Sequence, residues 1–304
     1  MASTMRSTDF RAIVEPILNE SFDGIYKQRA DEWKKFLDES TGIPRSYHEE
    51  PVMYGFGAAP ELPDGMPVTY QSGGVLYSAR YQYKVYGLAF AITKVLQEDG
   101  DHIRVGTTFS RHLAQSLIET KETIAANLLN RAFNTSYLGG DGKALIVNDH
   151  PIIGGTASNV LSTSAALSQT SLEQMLIQIR QAVDNNGKKI RLSPQKLIVS
   201  PQNVFQAEVL LNSVLRAGTA NNDLNPVKSM GVLSGEVADV ARLTSATAWY
   251  IKTDAQEGMK MLKRRALEKS MEGDFETDSM RYKATERYSI GWTDWRAAYG
   301  TPGT

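Results

Sequence analysis

The longest periodic pattern of hydrophobic positions in this chain lies between residues 107 and 133. One stripe of apolar side chains falls within an arc of about 100° on a helical projection, and it consists of Phe109, Leu113, Leu117, Ile124 and Leu128. A second, narrower stripe consists of Ile118, Ala125, Leu129 and Ala132. The pattern predicts one long helix, capped by Thr107 or Thr108, whose two stripes make two separate contacts. At about 1.5 Å per residue it spans about 40 Å, enough to form the spine of a subunit.

A strand-type alternation precedes this helix. Apolar and aromatic side chains alternate with polar ones between residues 77 and 85, with Tyr77, Ala79, Tyr81, Tyr83 and Val85 on one face. Residues 68–70 are predicted to return against 75–77 across a glycine-containing turn, which gives a hairpin over 68–86. A two-stranded ribbon is marginal alone in water, so its apolar face needs a cover. That cover is either the subunit's own core or a neighbouring copy, and the prolines that flank the ribbon favour a projecting loop.

The remaining segments predict an arm, a separate α/β unit and a closing strand. Apolar residues recur at helical spacing from Ile13 to Leu37, although Pro16 and Gly24 interrupt them, so one or two short helices are expected. They pack on the subunit's own core or lie on a neighbour. In the middle of the chain, a capping box at 171–174 opens a helix, 197–199 is a short strand, and Ser200-Pro201 opens a second helix. Residues 280–292 are expected to form a strand that returns beside the long helix.

Composition and charge narrow the possible functions. The chain has 304 residues with 33 Lys plus Arg, 34 Asp plus Glu and no Cys. The formal charge of -1 gives no general attraction to nucleic acid or to an anionic membrane. The absence of Cys excludes disulfides and thiolate chemistry. No apolar run is long enough for a membrane span, and the N-terminal residues do not resemble a secretory signal. The basic run at 260–265 is interpreted as a solvated or intersubunit strand rather than a nucleic-acid contact.

The sequence contains only weak candidates for a catalytic or ligand-binding site. Residues 139–143, GGDGK, superficially resemble a phosphate-binding loop, but that motif requires Gly at 137 and Ser or Thr at 144, where Tyr137 and Ala144 stand. Asp149 and His150 are a lone carboxylate–imidazole pair without a second histidine at metal-binding spacing and without a nucleophile elbow. The sequence therefore predicts no catalytic, cofactor-binding or metal-binding residue, and His150 is interpreted as a structural loop histidine.

The order of these pieces resembles a known family. A long helix is followed by DGKALIVNDHPIIGGTASN, a capped helix, an Asn-Pro segment and a closing strand. The turn residues Asp141-Gly142, Asp149-His150-Pro151, Gly154-Gly155 and Asn159 are similar to the stretch that follows the spine helix in several phage head proteins. Over about residues 10–300, the chain resembles the major capsid proteins of tailed bacteriophages with the HK97-type fold.

The resemblance implies an α+β fold in which the chain is divided into an arm, a loop and two domains. The N-terminal arm would occupy residues 1–50, the extended β-hairpin loop 51–100, and the peripheral domain 101–165 with its spine helix at 107–133. An α/β axial domain would follow at 166–258, and residues 259–304 would return to the peripheral domain.

The same resemblance implies a structural, non-enzymatic role. Hexamers and pentamers of the chain would form an icosahedral phage head around double-stranded DNA, with weak, non-specific DNA contacts. A separate scaffolding protein and a portal are the expected partners, a decoration protein is possible, and no membrane is involved. No obvious helical, charged extension is found ahead of the arm, and we therefore expect a separate scaffolding protein. The shell would be assembled in the host cytoplasm and remain in the virion. Two alternatives stay open at this point: an encapsulin-like compartment, and a soluble hydrolase that uses Asp149 and His150.

Overall fold

The computed structural model describes residues 7–28, 31–42, 44–216, 223–233, 236–274, 276–277 and 279–303, with side chains described from Ile13 onward. Residues 1–6 of the predicted arm lie outside this description. The α-helices in the described ranges are α1 (Ser7–Gln28), α2 (Lys94–Glu98), α3 (His102–Asn130), α4 (Gln169–Arg180), α5 (Val204–Asn212) and α6 (Pro226–Ser229). Short 3₁₀ turns cover Glu32–Lys35, Pro201–Asn203 and Trp295–Ala297. Among the described helices, none combines the length and the apolarity that a bilayer crossing requires.

Twelve strands in the described ranges form two four-stranded sheets and two small ribbons. The strands are β1 (Asp38–Thr41), β2 (Tyr47–Tyr54), β3 (Gly74–Gln82), β4 (Lys84–Ile92), β5 (His150–Ile152), β6 (Gly155–Ala157), β7 (Pro194–Val199), β8 (Val237–Asp239), β9 (Trp249–Thr253), β10 (Met259–Gly273), β11 (Met280–Trp292) and β12 (Ala298–Thr301). The first sheet has the order β1-β10-β11-β4 and the second has the order β12-β9-β7-β8, while β2-β3 and β5-β6 are separate pairs.

The long helix α3 is the spine that the hydrophobic pattern predicts, but its bounds differ. It begins at His102 rather than at 107, because Thr107 and Thr108 are not caps: both hydroxyls donate to the carbonyl of Arg104 inside the helix. It ends at Asn130, and a tight turn carries the chain on to Phe133.

The two contacts of α3 follow one another along its axis. Leu113 and Leu117 near its middle pack with α1 and the first sheet, and Ala125 and Leu129 near its end pack with the second sheet. Phe109, predicted for the larger stripe, is 47% exposed. The predicted pair of parallel stripes was therefore wrong in detail, because the partner surface changes along the helix.

The second sheet lies between two hydrophobic cores. Ile198, Tyr250 and Ala298 on one face pack into the core that contains the end of α3. Leu197, Val199, Trp249 and Ile251 on the opposite face pack with α4 and α5. This α/β unit is therefore joined to the spine through the sheet itself. Its first helix is capped by Ser168, with Ser171 completing the capping box, so the helix begins earlier than residues 171–174 predicted.

The N-terminal segment forms one continuous helix instead of the one or two short helices predicted. Pro16 is accommodated inside α1. Val14, Leu18 and Phe22 are buried against α3 and the first sheet, and Trp33 and Phe36 are buried in the core beneath the end of α3. The arm thus packs on its own subunit over these residues, which is the first of the two alternatives left open by the sequence.

The predicted hairpin over 68–86 was wrong. The strand partner of β3 is β2, with Tyr47 opposite Gln82 and Tyr54 opposite Gly74, and residues 55–73 form an extended loop at the tip of this ribbon. The strand expected through residue 85 ends at Gln82, and β4 then pairs with β11 in the first sheet. The sequence obscured β2 because Pro51 lies within it, which an edge strand tolerates.

The aromatic face of the ribbon is covered by the same subunit. Ala79, Tyr81 and Tyr83 are buried with Leu262 of the first sheet, and Tyr81 donates a hydrogen bond to the Thr293 hydroxyl. The ribbon is therefore fixed to its own sheet, and only the loop beyond it projects.

Candidate assembly surfaces

The side chains of Asp149 and His150 do not interact with each other. The carboxylate of Asp149 is bound by Lys143, whereas His150 Nδ1 lies 2.6 Å from Asp141 Oδ2 and His150 Nε2 lies 3.2 Å from Asn159 Oδ1. His150 is fully buried, and its ring stacks on Trp295 at a centroid distance of 4.3 Å. A histidine enclosed in this way has no access to a substrate, so the hydrolase alternative was wrong.

The motif after the spine is an internal brace. The side-chain amide of Asn159 donates to the carbonyls of Leu145 (2.7 Å) and Ala298 (2.8 Å), and its oxygen accepts from the backbone N–H of Val147 (2.9 Å). Asn159 is completely buried. Its hydrogen bonds join the segment after α3 to β12, so these turn residues hold the two ends of the core together.

A buried ion pair joins the arm, the spine and the first sheet. Lys121 Nζ lies 2.7 Å from Glu286 Oε2, and the two side chains are 10% and 2% exposed. The hydroxyl of Tyr26 on α1 donates to the same carboxylate at 3.2 Å and accepts a hydrogen bond from Lys121. Burial, reinforced by the charge of Glu286, raises the pKa of Tyr26 and keeps it protonated.

A second buried carboxylate holds the segment that follows the arm helix. Glu122 accepts hydrogen bonds from the backbone N–H groups of Glu32 (2.9 Å) and Trp33 (3.0 Å). Burial raises the pKa of Glu122, although these two hydrogen bonds oppose the shift. The apolar stripes did not reveal Lys121 and Glu122; the only signal was two adjacent charges lying between apolar positions of the helix.

A third polar cluster fixes the base of the ribbon to the first sheet. Glu50 on β2 accepts from Lys260 Nζ and from the Thr293 hydroxyl, each at 2.5 Å, and from His48 Nε2 at 2.9 Å. Burial alone would raise the pKa of Glu50, but the hydrogen bonds from Lys260, Thr293 and His48 lower it. The ribbon therefore has a defined direction relative to the sheet from which the loop projects.

The extended loop exposes large apolar side chains. Tyr70 is 96% exposed, and four further side chains are more than half exposed: Phe56, Leu62, Met66 and Val68. The base of the loop is tied to the α/β unit, since Asn186 donates to the carbonyl of Gly55 at 2.8 Å. A concentration of exposed apolar groups on a projecting loop marks an interaction surface.

The α/β unit exposes a second apolar surface. Phe205 on α5 is 83% exposed, and Val209, one turn further along the same helix, is 50% exposed. The opposite side of this helix, with Ala207, Leu210 and Leu211, is buried against the second sheet. The exposed side has no contact that would explain its apolar character within the described subunit.

The comparisons with known proteins agree with this architecture. A family model described as "Phage capsid protein" matches residues 77–300. No curated protein matches the chain. The fold is similar to a virus-like particle from Pyrococcus furiosus, with 12% identity, a TM-score of 0.53, and coverage of 94% of this chain and 98% of the other.

Two further solved structures show the same likeness. The capsid of the cyanophage P-SCSP1u has 13% identity and a TM-score of 0.57, with coverage of 90% of this chain and 88% of the other. The capsid of a native GTA particle has 14% identity and a TM-score of 0.53, with coverage of 90% of each chain. At these identities the likeness concerns the fold, and it confirms the HK97-type α+β fold that the sequence predicted.

The family match, the fold and the buried position of His150 all indicate a structural protein. The chain belongs to the phage capsid protein family, and it is a structural shell protein of the virion rather than an enzyme.

Proposed function

We propose that this chain assembles into hexamers and pentamers of an icosahedral phage head that encloses double-stranded DNA. In this proposal residues 1–50 are the arm, 51–100 the extended loop, 101–165 the peripheral domain and 166–258 the axial domain. Residues 259–304 complete the peripheral domain.

The observation that carries the proposal is the loop at residues 55–73. Its apolar side chains project from a ribbon that is rigidly fixed by Glu50 and Lys260. Burying one large apolar side chain contributes about 1.5–3 kcal/mol, so the loop has a strong driving force to find a cover on another copy. Because the same chain also exposes Phe205 and Val209 far along the sequence, each copy offers more than one contact.

Several modest contacts per copy suit a closed shell. A standard interface buries about 1,600 Å² and can bind only weakly as an isolated pair. In a shell, every copy is held by several neighbours at once, so the loss of one contact does not release it. The shell then gains stability from closure rather than from any single strong interface.

The proposal includes partners that act around the shell. A separate scaffolding protein and a portal would direct assembly in the host cytoplasm, and a decoration protein is possible. The near-neutral formal charge of -1 favours weak, non-specific contact with the packaged DNA, because tight binding to phosphates requires a concentration of cations.

The test is expression of the full chain, alone and with the scaffolding protein of the same phage. We expect ring-shaped oligomers or closed shells by size-exclusion chromatography and negative-stain microscopy. A chain that remains monomeric at high concentration under both conditions would refute the proposal.

An encapsulin-like compartment is the second candidate, since the fold is also similar to a virus-like particle. The contents of shells purified from infected cells separate the two. Nuclease-protected double-stranded DNA supports a phage head, and a protein cargo without DNA supports the compartment.

A further inference from the structure

The α/β unit contains a basic groove that the contacts described so far do not use. A cavity of about 1080 Å³ lies between the end of α4, residues 189–196 and residues 230–232. Arg180, Lys189, Arg191 and Lys196 contribute to its walls. Lys196 pairs with Glu236 at 2.7 Å, whereas within the described residues no ion pair involves the other three cations. The groove therefore concentrates positive charge on a protein that is nearly neutral overall.

The groove continues into an apolar section. A smaller cavity of about 240 Å³ shares Arg180, Met230 and Val232 with the basic one and adds side chains of α4. Among them, Ile177 is 54% exposed, and Met230 is 59% exposed. Glu173 also lines this section. An apolar wall is unsuited to a polyphosphate backbone, but beside the basic section it suits a peptide segment that alternates acidic and apolar residues.

The extended loop of this same protein has that composition. From Ser46 to Ala79 the sequence contains no Lys or Arg. The outer part of the loop, Glu61-Leu62-Pro63-Asp64-Gly65-Met66, carries two acidic residues beside the exposed side chains of Leu62 and Met66. Charge and apolar character are thus complementary between the loop and the groove.

The loop of a given copy leaves its own α/β unit before it reaches these residues. Its last hydrogen bonds to that unit are made at Gly55 and Phe56, to Asn186 and Lys188. Beyond Phe56, the hydrogen bonds among the described residues stay within the loop, as from Gly57 to Gln71. The groove walls consist of residues of the α/β unit alone. A loop from a second copy is therefore the occupant that the geometry leaves available.

We propose that the acidic outer part of the extended loop, residues 61–66, docks into the groove between Arg180 and Arg191 on a neighbouring copy. Glu61 and Asp64 pair with the groove cations, while Leu62 and Met66 cover Ile177 and Met230. The contact is head-to-tail, since loop and groove are different surfaces of one chain, so repetition of the contact forms a ring. This inference rests on the proposed self-assembly and specifies one of its contacts.

A cysteine pair tests the contact directly, because the chain has no natural Cys. Asp64→Cys is combined with Ser193→Cys, an exposed position on the groove wall. After assembly and mild oxidation, we expect a ladder of covalently linked chains on a non-reducing denaturing gel. The matched control combines Asp64→Cys with Gln174→Cys, which is exposed on α4 and does not line the groove. Only monomers from the groove pair, or equal ladders from both pairs, would overturn the inference.

Charge reversal gives a second, independent test. Glu61→Lys with Asp64→Lys reverses the loop, and Lys189→Glu with Arg191→Glu reverses the groove. Because all four side chains are exposed, each variant should melt like the wild-type subunit. Each alone should lower the particle yield by about tenfold or more, since the loss recurs at every copy. A chain that carries both reversals should restore particles, because every loop then meets a groove of opposite charge.

The outcomes separate this inference from the proposed function. If neither reversal lowers the particle yield, the loop–groove contact is refuted while self-assembly stands. If the groove reversal alone lowers the yield, or if it instead lowers the DNA content of normal shells, another partner occupies the groove and the inference also fails. If the wild-type chain forms no particle under any condition, the proposed function itself fails.

Discussion

The buried ion pair between Lys121 and Glu286 gives the sharpest prediction about the subunit. Lys121→Met keeps most of the side-chain length and removes the charge. Glu286 is 2% exposed, so its carboxylate is left buried and loses its cation. Breaking a buried pair in this way destabilises a protein by about 3–5 kcal/mol. Tyr26 donates one hydrogen bond to the same carboxylate, worth about 1.5–3 kcal/mol, but this bond is already present in the wild type and does not offset the loss.

The measurement is urea denaturation of the unassembled subunit at pH 7, followed by circular dichroism. We expect the free energy of unfolding of Lys121→Met to fall by about 3–5 kcal/mol. The double variant Lys121→Met, Glu286→Leu removes both charges and should recover most of that loss, since replacing a buried pair by apolar groups is often nearly neutral. Arg104→Met, which breaks only an exposed ion pair with Asp101 at the start of the same helix, is the control and should change stability by less than about 1 kcal/mol.

The reasoning is refuted if Lys121→Met costs less than about 1 kcal/mol. That result would mean that the pair behaves as a solvated surface pair and does not fix the arm. A double variant as unstable as the single one would show instead that the packing of the lysine stem, and not the unpaired charge, is responsible.

Three further predictions concern the spine, the loop and the ribbon base. Leu117→Asp places an unpaired charge in the core between α1 and α3 and should abolish soluble subunit, whereas Gln115→Asp on the exposed face of the same helix should leave soluble yield and melting temperature unchanged. Tyr70→Asp changes a side chain that is 96% exposed, so the stability of the subunit should stay within about 0.5 kcal/mol of wild type. Electron micrographs should nevertheless show fewer shells. Normal shells would show that Tyr70 lies outside the contact. The lowered pKa of Glu50 means that its stabilising contribution is present above the ordinary carboxyl pKa of 4.5 and is lost as the pH falls through the lowered value. Glu50→Gln should therefore be less stable than wild type at pH 7, with a difference that shrinks below about pH 4; an equal difference at both pH values would contradict the assignment.

Hydrophobic periodicity located the spine but not its ends. Leu113 and Leu117 of the larger stripe are buried as their spacing required, whereas Phe109 of the same stripe is half exposed. The start was misplaced because a threonine hydroxyl bonds equally well to a helix N-terminus and to a carbonyl within a helix, and Thr107 does the second. Local sequence does not distinguish these two cases.

The strand pairing of the ribbon could not be predicted from the sequence for a different reason. The alternation around Tyr81 identified β3, but its partner strand β2 lies beyond the whole extended loop, with Tyr47 opposite Gln82 and Tyr54 opposite Gly74. Pro51 hides that partner, because proline is tolerated in a strand only at an edge, and the acidic residues of β2 find their partners elsewhere in the fold, as Glu50 does with Lys260. Pairing between distant strands is a property of the whole sheet, so a nearby glycine turn was a misleading signal.

His150, interpreted from the sequence as a structural loop histidine, is buried at the start of β5 and is not bonded to its sequence neighbour. The sequence offered the adjacent Asp149, and the fold supplies Asp141 instead. Asp149 lies just before β5 and pairs with Lys143, so adjacency in the sequence did not identify the partner of His150. Lys121 and Glu122 were missed for a related reason, since their partners lie on the arm and on β11.

The order of strands in the first sheet has a consequence for how the subunit is made. Within the described residues, strand β4, which leads from the ribbon towards the spine, pairs only with β11, nearly two hundred residues later in the chain. Contacts over such separations form slowly, because a long stretch of polypeptide must be closed into a loop first. During synthesis the ribbon and spine therefore emerge without the strand that holds them in place. A nascent chain therefore lacks the strand that fixes the direction of its loop until β11 has been made, so the loop acquires its final orientation late in synthesis.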